Sequence, residues 1–222
     1  MLERRGTPAV LHGEQPEPSR GRLACLCEPV SPAVVIGSAQ PAGDFDADRL
    51  ARSGADLVRR RSGGGAVLVE PGRQVWLDVF VPKGDDLSHP DVGKSFYWLG
   101  DVFAEAIAAV LGTSPAAGRI EVHRGTIVKT PWSKVLCYAG LGAGEVTVDG
   151  RKVVGMSQRR ERTGAWIHCM ALLGDSALGL AELVSGPEQR RAKARGALVS
   201  AGLRDGEHLA GPLRSELLSR LS

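Results

Sequence analysis

The chain has 222 residues, of which 43% are hydrophobic and 24% charged, a balance typical of a globular protein with one main core. The 28 basic residues are nearly balanced by 25 acidic ones, so the net charge of +3 indicates neither a nucleic-acid partner nor a membrane partner. No apolar run approaches the ~18 residues of a membrane span.

The cysteine pattern and the amino-terminal segment indicate the cellular compartment. The four cysteines, at positions 25, 27, 137 and 169, follow no disulfide framework. The segment from Met1 to Pro8 lacks the apolar stretch of a secretory signal. We therefore expect a cytoplasmic protein with free thiols. Cys25 and Cys27 have no second ligand pair at zinc-like spacing, so the pattern indicates no zinc site.

The first half of the chain predicts strands with one short helix between them. Residues 1–22 are polar and proline-bearing, and we expect a poorly ordered arm there, followed by one domain over 23–222 without a separate accessory domain. The spacing predicts a helix over Asp46–Ala55. Short apolar runs bounded by glycine and proline predict strands over 23–27, 33–37, 66–69 and 75–81.

The second half carries the longest predicted helix. Apolar residues recur at helical spacing between Pro90 and Leu111. Strands follow to about Leu173, and the end of the chain is predicted to be helical from Ala177 to Leu221. Pro187 stands at a helix start there, and Gly211-Pro212 predicts a break. The order of elements indicates an α+β fold, in which a mixed β-sheet has helices packed against it.

A hairpin between Glu145 and Met156 is the most informative local pattern. Asp149-Gly150 between two β-branched runs predicts a two-residue turn, which fixes the pairing of the strands. Directly opposed residues share a face, so Lys152 and Glu145 lie on one side and can act on a common ligand. Taken alone, Lys152 is more simply interpreted as a solvated lysine, because most strand lysines face water. The turn predicts the pairs Val148–Arg151, Thr147–Lys152, Val146–Val153 and Glu145–Val154.

A glycine run follows three arginines at Arg59–Gly65. It is not a phosphate-binding P-loop, because no Gly-Lys-Ser/Thr follows, and its spacing differs from a dinucleotide fingerprint. Three glycines without Cβ atoms let backbone N–H groups approach a ligand closely, and the arginines can hold a carboxylate or phosphate. A flexible surface loop is the alternative interpretation.

Together these segments resemble the biotin/lipoate protein ligase superfamily, and in particular its branch of lipoate-protein ligase A and the octanoyltransferases. The pattern Arg-Arg-x-Ser-Gly-Gly-Gly-Ala-Val stands at Arg59–Val67, and Gly-Arg-Lys-x-x-Gly-x-x-Gln stands at Gly150–Gln158. Ile36–Gln40 and the stretch His168–Leu173 complete an ordered set of matches. The resemblance implies the fold of the ligase catalytic domain.

The resemblance also implies roles for individual residues. Lys152 would grip the reactive carbonyl end of the acyl group, where a cation stabilises a developing oxyanion. The acyl group would be lipoate or octanoate. The acceptor would be a lysine of a lipoyl domain or of the glycine-cleavage H protein. The residues implied in substrate binding are Arg60, Ser62, Gly63, Gly64, Gly65, Ala66, Gly155, Ser157, Gln158 and His168.

Two chemistries share this scaffold in the family. Our first interpretation is a ligase that activates the free acid with ATP and Mg²⁺ to an acyl-adenylate, with Glu145 as a metal ligand. The alternative is a transferase that needs no cofactor and moves the acyl group from acyl carrier protein through a cysteine thioester. Cys137, in Leu136-Cys137-Tyr138, resembles that nucleophile, although a buried strand thiol is the simpler interpretation. A catalytically inactive acyl-binding module is the third hypothesis.

The sequence departs from the family pattern in three places. Leu68-Val69-Glu70 stands where the family has an aromatic residue, His and Asp, and Gly142–Glu145 replaces an Arg-Asn-Asp motif. The sequence shows no counterpart of the amino-terminal helix of the usual ligase. The changed positions are also compatible with a different acyl substrate or with lost activity.

Overall fold

The computed structural model describes residues 2–16, 21–113, 119–204 and 206–221, which form ten strands in two sheets and six α-helices. The predicted α+β fold with a mixed sheet is confirmed. The strands are β1 (Leu2–Gly6), β2 (Leu23–Pro29), β3 (Ala33–Ile36), β4 (Asp56–Arg59), β5 (Val67–Val69), β6 (Gln74–Pro82), β7 (Ile120–Val122), β8 (Val146–Val148), β9 (Arg151–Arg160) and β10 (Gly164–Leu172). The helices are α1 (Pro8–Gly13), α2 (Ala47–Ser53), α3 (Tyr97–Val110), α4 (Ala177–Glu182), α5 (Glu188–Leu198) and α6 (Ala210–Leu221).

The larger sheet separates two apolar cores. Its strand order is β1-β2-β6-β10-β9-β8-β7, and the smaller sheet has the order β4-β3-β5. Helices α3 and α6 pack on one side, which we call the helix face, and the smaller sheet with α4 and α5 covers the other, which we call the small-sheet face. Because successive strand residues point to opposite sides, β6 places Trp76 in the small-sheet core and Leu77 in the helix core.

The amino-terminal residues correct the prediction of a poorly ordered arm over 1–22. Strand β1 pairs in parallel with β2, and the Thr7 side chain caps α1. Leu11 is only 1% exposed, so the segment is anchored in the core. The polar composition of residues 1–22 does not indicate this helix, because only Pro8, Leu11 and His12 of its six residues are buried. Residues 1 and 17–20 of the predicted arm lie outside the described residues.

Two helix boundaries also differ from the prediction. Helix α3 begins at Tyr97 instead of Pro90, because the Asp91 side chain accepts a hydrogen bond from the Lys94 N–H at 3.0 Å and holds a turn there. Gly211-Pro212 does not break the end of the chain but lies in the first turn of α6, where proline removes no helical hydrogen bond. None of the described helices has the length and apolar character needed to cross a bilayer.

Candidate active site

The β8–β9 hairpin contains a β-bulge that the turn sequence does not reveal. Asp149 and Gly150 have φ angles of 50° and 72°, as the predicted two-residue turn requires. Thr147 pairs with Lys152 as predicted, but the next pair is Val146 with Val154 instead of Val153. Val153 is therefore an extra residue in β9.

The bulge decides which face of the sheet carries Lys152. In a regular strand Lys152 would share a face with Val154 and Met156. Instead, both Val153 and Val154 lie in the helix core, while Lys152 contacts Tyr138 in the small-sheet core. One extra residue thus turns the lysine to the face that carries Gly155 and Ser157 in the same strand.

The ammonium group of Lys152 is buried and fully occupied by protein acceptors. Its Nζ donates to the carbonyl oxygens of Cys137 at 2.9 Å and Gly140 at 3.0 Å, and lies 2.6 Å from Oε2 of Glu145. It also lies 5.0 Å from the centre of the Tyr138 ring. Two of the three N–H donors of the ammonium group bind the carbonyl oxygens of Cys137 and Gly140, so Lys152 holds the chain around Cys137 in place. The side chain is 6% exposed, so it is not a solvated lysine.

The contacts of Glu145 do not fit the metal-ligand role predicted for it. Besides Lys152, its carboxylate accepts hydrogen bonds from the N–H groups of Gly142 at 2.5 Å and Met156 at 3.0 Å. Within the described residues, no group of three or more His, Cys, Asp or Glu side chains could hold a metal ion. Glu145 is instead the buried counter-ion that positions Lys152, and we derive no step that depends on Mg²⁺.

A narrow cavity of about 40 Å³ opens on the small-sheet face beside Cys137. Five of the predicted site residues line it, which brings together parts of the chain that are far apart in sequence. Lys152 lies behind the cavity, on the carbonyl side of Cys137. The predicted residues in the cavity wall are Arg60, Cys137, Gly155, Ser157 and His168.

Arg60 ties the glycine run to this cavity. Its guanidinium donates to the carbonyl oxygens of Gly63 at 2.7 Å, Gly65 at 2.8 Å and Val35 at 3.2 Å. Its Nε is buried and has no hydrogen-bond partner, although burial of this kind is costly for a polar atom. Burial also lowers the pKa of Arg60.

The glycines allow close packing of two backbone segments. A Cβ on Gly65 would lie 2.8 Å from the Leu136 nitrogen and 2.9 Å from the Cys137 nitrogen. Gly64 has a φ of 97°, a conformation that other residues rarely adopt. The Ser62 hydroxyl lies 2.9 Å from the Ser157 hydroxyl, which joins the run to β9. The run is thus a fixed support for Cys137 and not a flexible surface loop.

Cys137 differs from the other three cysteines in exposure. Cys25, Cys27 and Cys169 are buried, whereas Cys137 is half-buried and lines the cavity from a short turn that runs from Cys137 to Ala139. Burial raises the pKa of Cys25 to about 11 and raises that of Cys27 and Cys169 as well. Cys137 is therefore the one cysteine among the described residues that is neither buried nor remote from the cavity opening.

A buried polar network beside the cavity was missed by the sequence analysis. His168 donates from Nδ1 to Asp78 at 2.8 Å, and Trp76 donates from Nε1 to the same carboxylate oxygen at 2.7 Å. His12 stacks on the Trp76 ring at 4.4 Å. Burial acts to raise the pKa of Asp78, but the charge and hydrogen bond of His168 outweigh it and the pKa is lowered. A lone aspartate inside the apolar run of β6 was the available signal.

Gln158 lies on the opposite face of the sheet from the cavity at Cys137. Its side chain exchanges hydrogen bonds with the Ser95 hydroxyl and accepts one from Arg160 at 3.0 Å. It lines a separate cavity of about 360 Å³ together with Ser95, which precedes α3. The predicted role of Gln158 in binding the same substrate as Cys137 does not fit this placement. Ser62, Gly63, Gly64, Gly65 and Ala66 support the cavity without being part of its wall.

Comparison with protein families decides what kind of domain carries this site. The family model of the lipoyl protein ligase A/B catalytic domain matches residues 10–201. The chain belongs to this family. The predicted resemblance is thereby confirmed, and the match begins at residue 10, inside α1. A comparison with curated proteins found no match.

Solved lipoate ligases share the fold of this lipoyl ligase family member. A bipartite lipoate protein ligase from Thermoplasma acidophilum, described with its E2 lipoyl domain, gives a TM-score of 0.64 at 17% identity over 98% of this chain and 80% of that one. A lipoate-protein ligase A bound with ATP gives 0.54 at 15% identity over 94% and 85%. LipL1 of P. falciparum in complex with lipoate gives 0.56 at 14% identity over 99% and 60%. At these identities the likeness shows the fold alone.

Two glycines of the family motif are expected to respond differently to alanine. We expect Gly65→Ala to lower the free energy of unfolding by about 1–3 kcal/mol, because the new Cβ would press on the backbone of Leu136 and Cys137. Gly63→Ala is the matched control, since a Cβ there meets nothing within 4 Å, and its effect should stay within about 0.5 kcal/mol. Urea unfolding of both variants measures this, and equal effects would contradict the assigned contact.

The burial of His12 predicts a pH dependence of stability. Burial, reinforced by His168, lowers the pKa of His12 from 6.5 to about 3. Between these values the unfolded chain binds a proton that the folded chain does not, so His12 makes stability fall as the pH is lowered, by up to about 1.4 kcal/mol per pH unit. His12→Phe should have a shallower slope than the parent when urea unfolding is measured between pH 6.5 and 4.5. Equal slopes would show that His12 titrates normally in the folded protein.

Proposed function

We propose that this protein transfers an acyl group from a thioester donor to a lysine of an acceptor protein through a thioester on Cys137. The observation that carries the proposal is the position of Cys137, half-buried in the wall of the cavity with its carbonyl oxygen held by Lys152. A cysteine suits this role because its thiolate is both a good nucleophile and a good leaving group.

The reaction has two steps that balance without a cofactor. The Cys137 sulfur attacks the carbonyl carbon of the donor, the acyl–Cys137 bond forms, and the carrier leaves as a thiol with the proton that Cys137 gives up. The ε-amine of the acceptor lysine then attacks the same carbon, an amide forms, and the Cys137 thiol is restored. Arg60, in the cavity wall, places a positive charge near the carbonyl oxygen, which becomes negatively charged in both steps.

Lys152 and Glu145 act as positioning residues in this proposal. The N–H groups of Lys152 bind Cys137, Gly140 and Glu145. These contacts fix the turn that carries the Cys137 sulfur. The buried ion pair also places a positive charge next to the nucleophile segment. Neither residue needs to leave its partners for the first step.

The acceptor is proposed by analogy with a family relative. The T. acidophilum ligase is described with an E2 lipoyl domain, which supports a lipoyl domain as the acceptor here. The glycine-cleavage H protein and a location in the cytoplasm stay predictions from the sequence. Acyl carrier protein is the donor class that a thioester mechanism would use.

ATP-dependent ligation is the second candidate, and it has less support in the site. The likeness to a ligase bound with ATP concerns the fold. An acyl-adenylate held by Lys152 would require the ammonium group to release Cys137, Gly140 or Glu145. Glu145 would also have to give up protein donors to hold Mg²⁺.

Mass spectrometry of the intact protein tests the proposal against both alternatives. We expect incubation with acyl pantetheine thioesters, without ATP, to add one acyl group that peptide mapping places on Cys137. A Cys169→Ala control should still acquire it, since Cys169 is buried. Pyrophosphate release from free acid, ATP and Mg²⁺ without any adduct would overturn the proposal in favour of the ligase. Binding without adduct or pyrophosphate would favour an inactive acyl-binding module.

A further inference from the structure

The loop that carries Cys137 has an exposed outer side that the chemical steps do not use. The backbones of Val128 and Leu141 exchange hydrogen bonds at 2.8 and 3.0 Å, which closes the loop around Cys137. At the start of the loop Ile127 is 63% exposed and Val128 is 50% exposed. Neighbouring aliphatic side chains that face water beside charged residues are typical of a contact surface for another molecule. We call residues 127–134 the outer segment.

The surface around the outer segment is positively charged. Between positions 122 and 144 the sequence contains no aspartate or glutamate. Lys129 and Lys134 are exposed, and neither has a carboxylate partner among the residues that the structure describes. Arg190 adds a third cation, since its guanidinium lies 5.6 Å from the centre of the Trp132 ring. A surface of cations and apolar side chains is complementary to an acidic protein surface.

The outer segment lies close to the proposed nucleophile. The Thr130 hydroxyl donates to the carbonyl oxygen of Ala139, two residues after Cys137, at 2.8 Å. Lys134 precedes Cys137 by three residues, so their Cα atoms are at most about 11 Å apart. A protein interface of standard size covers about 800 Å² on each partner, which is a disc of about 16 Å in radius. An acceptor protein that brings its lysine to Cys137 therefore extends over the outer segment.

We propose that the outer segment is the docking surface for the acceptor protein, and that the acceptor presents acidic side chains beside its target lysine. The inference rests on the proposed function, because it assigns the surface through which the acceptor reaches Cys137. Ile127 and Val128 supply apolar contact area, and Lys129 and Lys134 orient the acceptor and speed its approach. None of these four side chains takes part in the chemical steps.

Binding of an unmodified lipoyl domain, measured without any acyl donor, tests the docking surface independently of the chemistry. A fluorescently labelled lipoyl domain is titrated with the wild-type protein, with Ile127→Asp, and with Lys129→Glu combined with Lys134→Glu. We expect each variant to raise the dissociation constant by about tenfold or more. Added NaCl should weaken binding to the wild-type protein more than binding to the double variant, because salt screens the exposed cations.

A matched control carries the same new charge on a distant surface. Val30 is 45% exposed and follows β2, which is well separated from β8 in the strand order of the larger sheet. We expect Val30→Asp to bind the lipoyl domain as tightly as the wild-type protein does. All of the substituted side chains are exposed, so urea unfolding should show wild-type stability for every variant and exclude unfolding as the cause of lost binding.

The results separate the docking surface from the transfer mechanism. A wild-type protein that does not bind the lipoyl domain, or either outer-segment variant binding as tightly as the wild-type protein, would overturn the docking surface. If both variants lose binding but the wild-type protein forms no Cys137 adduct with octanoyl pantetheine thioester, the docking surface stands and the transfer mechanism falls. If the octanoyl group passes from Cys137 to the lipoyl domain equally fast in all variants, the mechanism stands and the docking surface falls.

Discussion

Replacing Lys152 with methionine is expected to lower the free energy of unfolding by about 3–5 kcal/mol and to stop acyl transfer. The cost arises because Glu145, 4% exposed, would keep its charge in the core without a counter-ion. The carbonyl oxygens of Cys137 and Gly140 would lose their donor as well. Urea unfolding measures the first effect and a transfer assay the second. A stability equal to that of the wild-type protein would show that the pair is not formed in solution.

A double variant provides the control for this experiment. Lys152→Met combined with Glu145→Gln leaves no unpaired charge, so much of the lost stability should return. Transfer should not return, because the turn that carries Cys137 still lacks its donor. The result to compare is the loss in free energy of unfolding of the double variant with the sum of the losses of the two single variants. If the two values were equal, Lys152 and Glu145 would not be coupled and the assigned ion pair would be wrong.

Replacing Cys137 with alanine is expected to reduce acyl transfer by at least about a thousandfold, because the covalent intermediate can no longer form. The side chain is half-buried, so the free energy of unfolding should change by no more than about 1 kcal/mol. Parallel measurements of transfer and of urea unfolding separate the two effects. A Cys137→Ala protein that keeps full transfer would remove the thioester mechanism, whereas Cys169→Ala should keep its activity.

The sequence predicts the fold well because its motifs occur in family order and each has a physical role. The two-residue turn at Asp149-Gly150 correctly predicts that Lys152 and Glu145 meet. The contacts of Glu145 do not fit the predicted role of metal ligand, because the N–H donors of Gly142 and Met156 come from local backbone geometry, which residue types do not reveal.

The bulge at Val153 explains another difference between the prediction and the structure. Strict alternation places Lys152 and Gln158 on one face of β9, since they are an even number of residues apart. The extra residue between them puts Lys152 beside Cys137 and leaves Gln158 beside Ser95 on the other face. A turn sequence fixes the first pairs of a hairpin but not a later bulge, which depends on packing of both sheet faces.

The cavity wall could not be predicted because it is built from distant segments. His12 comes from a helix of six residues in a stretch whose polar composition indicates disorder. Its contact with Trp76 joins residues that no local pattern connects. The size and shape of a pocket depend on such tertiary contacts. The family motifs therefore indicate an acyl site but not its dimensions.

A chase experiment with isolated acyl-enzyme tests most directly whether Cys137 is an intermediate. The wild-type protein is loaded with octanoyl pantetheine thioester, separated from the remaining donor, and mixed with a lipoyl domain in the absence of ATP. We predict that the octanoyl group leaves Cys137 and appears on the acceptor lysine in equal amount and with the same rate constant. An adduct that persists while the acceptor stays unmodified, or an acceptor that is modified only when ATP is added, would contradict the mechanism.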